Sequence, residues 1–152
     1  MGIAADFSAD LSGAGYRIAI VMSRFNHAIV QGLLQNCQET LQQLGVATQD
    51  IAVYSVAGAL EIPLVLQTLA KTQHFDGLIA LGCVIRGDTY HFEIVCNEAC
   101  AGISRVQLDH AIPIGNAILT VETEQQAQLR IVEKGVDVAK VTVEMIQLLK
   151  NL

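Results

Sequence analysis

The chain has 152 residues, 52% of them apolar and only 16% charged, with a formal net charge of −6. That length supports one domain with a proper core rather than two, and the acidic balance argues against a phosphate-backbone binder, so no nucleic-acid partner is expected. No run of about 18 apolar residues exists to span a membrane, while so much apolar residue against so little charge points to surface buried between subunits.

The opening stretch MGIAADFSADLSGAGY is small, polar and glycine-containing, with no basic residue before Arg17. Lacking a hydrophobic core, it does not read as a secretory signal, and Asp6 breaks the myristoylation pattern. Residues 1–15 are expected to form a flexible or partner-docked arm, and residues 16–152 the folded domain. RIAIVM (17–22) reads as a short buried strand of a parallel sheet. SRFN (23–26) is a loop with Ser23 and Asn26 as cap candidates. Val30, Leu33, Leu34, Cys37, Leu41 and Leu44 then recur at helical spacing until Gly45 ends the helix. DIAVYSV (50–56) is the second strand. AGALEIP (57–63) turns into the second helix, where Pro63 is tolerated because it falls in the first turn. FDGLIALGCVI (75–85) is the third strand.

The stretch LGCVIRGDTYHFEIVCNEAC (81–100) passes from the end of that strand through a glycine turn into a helix running to about Asp109. The first N–H groups of a helix lack partners within it, so such a junction can face an anion. Gly87 lets the backbone come close, and Asp88 or Thr89 can serve as the N-cap. His91 follows one or two residues into the helix, and histidine is the side chain best suited to move protons near neutral pH. The competing reading is an ordinary junction whose histidine is merely exposed. Val95, Ala99, Ile103 and Val106 form the buried stripe of this helix. AIPIGNAILTV (111–121) is the fourth strand. Thr123 with Gln126 makes a capping box for a last helix that runs to about Leu149 and bends at Gly135.

Strands and helices therefore alternate four times. That pattern calls for a single-domain α/β three-layer sandwich, a four-stranded parallel sheet with helices on both faces and right-handed crossovers. In such sheets ligands bind beyond the carboxyl ends of the strands. Loops 23–26, 57–61 and 84–89, with the Asn116 region, are expected to converge there. This rim offers Phe25, Glu61, Arg86, Asp88, Thr89 and His91, joined by Arg130 and Lys134 one turn apart on the last helix. Phe25 is either a plug over the core or a platform for a flat heterocycle. Glu61 either complements a helix dipole or binds ligand. Arg130 and Lys134 are either a solvated pair or a phosphate clamp. Neither a GxSxG elbow nor a P-loop is present. Cys37, Cys83, Cys96 and Cys100 read as reduced thiols, and without paired CxxC or HxxxH no metal site is expected. The residues alone reach a small anionic ligand and proton transfer.

SRFN, AGALEIP, LGCVIRGDTYHFE with VCNEA, and ILTVETEQQAQLR occur in that order. Together they resemble the lumazine synthase family from Arg17 to the last helix, LGCVIRGDTYHFE being the most specific. The resemblance implies a flavodoxin-like strand order and a cytoplasmic enzyme of riboflavin biosynthesis. That enzyme condenses 5-amino-6-(D-ribitylamino)uracil with 3,4-dihydroxy-2-butanone 4-phosphate. It yields 6,7-dimethyl-8-ribityllumazine, phosphate and water without a metal or organic cofactor. The resemblance further implies a homo-oligomer, a pentamer or an assembly of pentamers. By motif, Phe25 stacks on the pyrimidine. Ala59, Leu60 and Glu61, with Cys83, Val84 and Ile85, line the pyrimidine and ribityl pocket. Asp88 and Thr89 hold phosphate through their N–H groups, Arg130 clamps it, His91 shuttles protons and Lys134 assists. Three departures stand out. Ala57 replaces a common proline; Asn116 stands where many members place an aromatic from the neighbouring subunit; and the segment after Lys134 is shorter. A flavin- or lumazine-binding carrier and an archaeal-type riboflavin synthase are the alternatives on the same scaffold.

Overall fold

In the computed structural model, which describes residues 10–152, β1 (Ile18–Ser23) is buried at every position. Its unbroken apolar run suits a central parallel strand, since only such a strand has helices over both of its faces. The chain continues through α1 (His27–Gln43), β2 (Ile51–Val56), a 3₁₀ turn at Ala59–Glu61 and α2 (Ile62–Thr72). Then come β3 (Gly77–Ile85), α3 (His91–His110), β4 (Ile114–Val121), α4 (Glu124–Gln128) and α5 (Ile131–Lys150). All strand pairs are parallel, in the order β2-β1-β3-β4. This is the expected α/β architecture in flavodoxin-like order.

Alternation along β1 divides the core into two layers. Ile18, Ile20 and Met22 pack with Leu33 and Leu41 of α1 and Val143 and Ile146 of α5. Ala19 and Val21 pack on the other face with Leu66 of α2 and Ile103 of α3. Val53 and Tyr54 remain exposed on β2, which forms one edge of the sheet.

Three local expectations are corrected. Asn26 precedes α1 with φ 55°, but its side chain makes no cap; Nδ2 instead donates to the Cys83 carbonyl at 2.8 Å. The helix after β3 starts only at His91, and Tyr90 rather than Asp88 or Thr89 occupies the N-cap position. The last helix is broken at Leu129–Arg130, and α5 then runs without interruption through Gly135. At the break, the backbone N–H of Arg130 turns to the Ala127 carbonyl. The carbonyl of Gln126, its helical partner four residues back, is taken by Arg130 Nη1 at 2.8 Å. A side chain thus replaces the main-chain donor and the helix stops.

Gly135 has a different task. It is buried within α5 against α1, where an added Cβ would lie 2.9 Å from the Leu33 carbonyl oxygen and 2.7 Å from Asn36 Cβ. Backbone offers no far end that can swing aside, so the two helices must separate to admit a side chain. Gly135→Val is expected to lower stability by about 1–3 kcal/mol, the usual size for overpacking. Urea unfolding followed by circular dichroism measures it, and an unshifted midpoint contradicts the close crossing.

Of the expected arm, residues 1–9 lie outside the described residues. Farther along, Ser12 donates its N–H to Gln147 Oε1 at 3.2 Å, and Gly13 donates to the Leu44 carbonyl at 2.7 Å. Residues 12–13 are therefore tied to α5 and to the end of α1 of the same chain.

Candidate active site

The strand order reverses direction between β1 and β3, which opens a crevice at the carboxyl edge of the sheet. A cavity of about 320 Å³ occupies this place, lined by Phe25, Asn26, Gly58, Ala59, Leu60, Glu61, Cys83, Val84, Ile85, His91 and Val95. A larger hollow of about 450 Å³ runs along α1 from Ala28 to Gln42. One helix face lines it and no group suited to proton transfer near neutral pH stands in it, so it is not the site.

Backbone bonds hold the first two loops of the cavity together. Arg24 donates its N–H to the Val56 carbonyl at 2.9 Å, and Phe25 donates to the Ala57 carbonyl at 3.3 Å. The Asn26 side chain fastens the same loop to β3 through Cys83. Glu61 Oε2 accepts the Gly58 N–H at 2.9 Å and so closes the 57–61 loop on itself. A Cβ at Gly58 would approach the Phe25 ring to 3.2 Å, so the bare glycine lets that ring lie close on the loop. Phe25 is nevertheless 69% exposed. An aromatic ring so open does not plug the core; it presents a face at the cavity mouth.

His91 is the first residue of α3, as expected, exposed and lining the cavity. Its N–H lies 3.4 Å from Thr89 Oγ1. Gly87, Asp88, Thr89 and Tyr90 are exposed in the turn before it, and a Cβ at Gly87 would meet nothing within 4 Å. Open space at a turn that leads into a helix N-terminus gives an anion room to approach.

Arg86 anchors this turn. Its backbone N–H donates to the Val121 carbonyl at 2.9 Å, Nε donates to Glu122 Oε2 at 2.6 Å and Nη1 donates to Glu93 Oε1. The guanidinium lies 4.3 Å over the Phe92 ring. Beside it the Glu93 carboxyl is held below its usual range, first by the hydrogen bond from Arg86. The Cys83 thiol lining the cavity is pushed up to about 11 by burial, with the charge of Glu124 adding to the rise, and burial pushes Cys37 up to about 12. Neither is a thiolate nucleophile at neutral pH.

Not every expected residue enters the cavity. Arg130 and Lys134 stand outside its lining; Arg130 is exposed at the α4–α5 break and bonded to Gln126. Asn116 is not on the rim of its own subunit. It pairs with Ala80 in the middle of β3, while the carboxyl end of β4 is reached only at Val121. Its Oδ1 accepts the Ile118 N–H at 2.9 Å and its Nδ2 lies 3.4 Å from Cys100 Sγ. The residues that sequence reasoning missed are Asn26 as a tether, Gly58 as the rest for Phe25, and Glu93 and Glu122 as partners of Arg86. Among the described residues, no group of three or more His, Cys, Asp or Glu is arranged to hold a metal ion, and no helix is long and apolar enough to cross a membrane.

A family model described as 6,7-dimethyl-8-ribityllumazine synthase matches residues 15–150. Among similar proteins, the 6,7-dimethyl-8-ribityllumazine synthase of an Azoarcus species is 56% identical over 148 residues, covering 97% of this chain and 95% of the relative. That of Methylobacillus flagellatus is 57% identical over 143 residues, covering 94% of this chain and 96% of the relative. That of Chromobacterium violaceum is 55% identical, covering 94% and 92% respectively.

Proposed function

Since the chain belongs to the 6,7-dimethyl-8-ribityllumazine synthase family, we propose that the cavity between β1 and β3 carries out that synthesis. The reaction condenses 5-amino-6-(D-ribitylamino)uracil with 3,4-dihydroxy-2-butanone 4-phosphate and releases phosphate and water. The observation that carries the reading is one cavity that joins an exposed aromatic face, Phe25, to a histidine, His91, beside an open helix start.

In this reading the pyrimidine stacks on Phe25. Backbone groups of Ala59, Leu60, Cys83, Val84 and Ile85 receive its polar edge, and Glu61 reaches the ribityl hydroxyls. The phosphate of the second substrate sits on the N–H groups of Asp88 and Thr89, with Arg130 closing over it and Lys134 assisting. The 5-amino group attacks the ketone; the carbinolamine loses water to give an imine; phosphate is eliminated to leave an enol that tautomerises to a second ketone; and the ribityl-bearing nitrogen adds to that ketone and closes the ring with loss of a second water. Each step moves a proton or frees an anion. Positioning, a titratable acid–base group and fixed positive charge therefore supply most of what the reaction needs. His91 is the proton carrier. Purified protein given both substrates is expected to form the lumazine, read by its absorbance, with one phosphate released per product and no loss in a chelator. Binding of the lumazine without its formation indicates a carrier instead.

The active unit is a homo-oligomer, a ring of five or an assembly of such rings, working in the cytoplasm. Support comes from large apolar side chains left in water: Leu64 is 70% exposed, Leu108 79%, Leu129 81% and Val132 63%. One such residue is ordinary, but several on different elements invite partners. Asn116 then reaches a neighbour's cavity rather than its own. Cyclic closure also suits a head-to-tail contact, which otherwise grows into filaments. Light scattering on purified protein is expected to show the ring; a 16.3 kDa monomer that keeps full activity on dilution refutes both ring and shared site.

A further inference from the structure

Arg86 is not accounted for by substrate contacts, yet its side chain binds two carboxylates and an aromatic ring at once. Nε and Nη1 grip carboxylates that lie 36 and 7 residues away in the chain, Glu122 at the end of β4 and Glu93 in the first turn of α3. The chain of bonds then continues. The N–H of Glu122 donates to Gln126 Oε1 at 2.8 Å, and the Gln126 carbonyl accepts Arg130 Nη1 at 2.8 Å. One guanidinium thus connects both parts of the phosphate site, the 87–90 turn that supplies N–H groups and the α4–α5 break that supplies Arg130. Its positive charge also offsets about half of the negative charge of two carboxylates that would otherwise repel an anion in that turn.

We propose that Arg86 is a positioning residue for the phosphorylated substrate: it sets the distance between the N–H groups of the 87–90 turn and Arg130 and offsets part of the charge of Glu93 and Glu122 beside them. The geometry is of a kind that lysine cannot reproduce. Two carboxylates arriving from different elements suit the planar fork, whose flat face also stacks over the ring of Phe92. The proposal rests on the reading of Asp88, Thr89 and Arg130 as the phosphate site.

Arg86→Met and Arg86→Lys, each compared with wild type in two measurements, test it. In steady-state turnover, Arg86→Met is expected to raise KM for the butanone phosphate about 10- to 100-fold, the size of a misplacement of about 1 Å. KM for the pyrimidine substrate should stay within about twofold. Arg86→Lys should show a smaller rise of the same selectivity. In calorimetric titration with inorganic phosphate alone, both variants should bind more weakly than wild type in the same order. An unchanged KM for the phosphate substrate in Arg86→Met overturns the proposal, and so does an equal rise for both substrates, which marks a merely structural residue. Should Arg86→Met fail to fold, the Arg86→Lys measurements decide alone, and wild-type phosphate binding by that variant overturns the proposal. A wild-type protein that binds phosphate but forms no lumazine sinks the proposed reaction and leaves Arg86 to be judged by the phosphate titration. One that binds no phosphate sinks both.

Discussion

Replacing His91 by alanine is expected to slow turnover about 10- to 1,000-fold while leaving the affinity for both substrates close to that of wild type, because general acid–base contributions are of that size and appear only in the transition state. The imidazole lines the cavity from the first position of α3, next to the turn where phosphate is proposed to sit. In the proposed reaction one group there serves several proton transfers in sequence. It protonates the carbinolamine oxygen that leaves as water, removes the proton whose loss accompanies departure of phosphate, and returns a proton during ring closure. A rate should remain, since an aromatic amine adds to a ketone unaided once the two are held together. His91→Gln keeps a hydrogen-bonding side chain but cannot titrate, and it is expected to fall as far as alanine. A variant as fast as wild type makes His91 a bystander, and a large rise in both KM values assigns it to binding instead.

The α/β fold is legible because its signals are local. Six buried positions in β1, an alternation of strand and helix runs, and glycine or proline at the junctions all lie within a few residues of what they determine. The site is legible where it is built from contiguous loops: Phe25, residues 59–61, residues 83–85 and His91 all line the cavity. What escapes is decided by distant partners. A glycine inside a helix reads locally as a bend, yet Gly135 is needed because α1 crosses there, about a hundred residues earlier in the chain. The break falls instead at Arg130, whose side chain competes with its own backbone for the Gln126 carbonyl, and no pattern of apolar spacing records that competition. Asp88 and Thr89 are good N-cap types, but α3 starts after them. The Arg86–Glu93 pair ties the first turn of the helix from outside, and that ion pair is visible only in three dimensions. The sequence bounds the strand that carries Asn116 but does not register it against its neighbour. Pairing with Ala80 fixes the residue partway along the edge strand, short of its carboxyl end.

Arg130→Ala is expected to raise KM for the phosphorylated substrate about 10- to 150-fold, since a hydrogen bond to a charged group is worth roughly 1.5–3 kcal/mol. The pyrimidine substrate has no phosphate and should bind as before. The guanidinium carries five N–H donors, and Nη1 is bonded to Gln126. That bond fixes the base of the fork at the α4–α5 break and leaves other donors to meet an anion, which favours a paired contact with phosphate oxygens. Arg130→Lys keeps the charge without the fork and should recover part of the loss. Because the residue is exposed, its attraction for phosphate is screened by salt. The gap between wild type and Arg130→Ala should therefore narrow as ionic strength rises, whereas a loss caused by a disturbed α4–α5 break would not. Substrate KM values measured across a salt series decide between them: equal weakening of both substrates, or a gap indifferent to salt, removes Arg130 from the phosphate site.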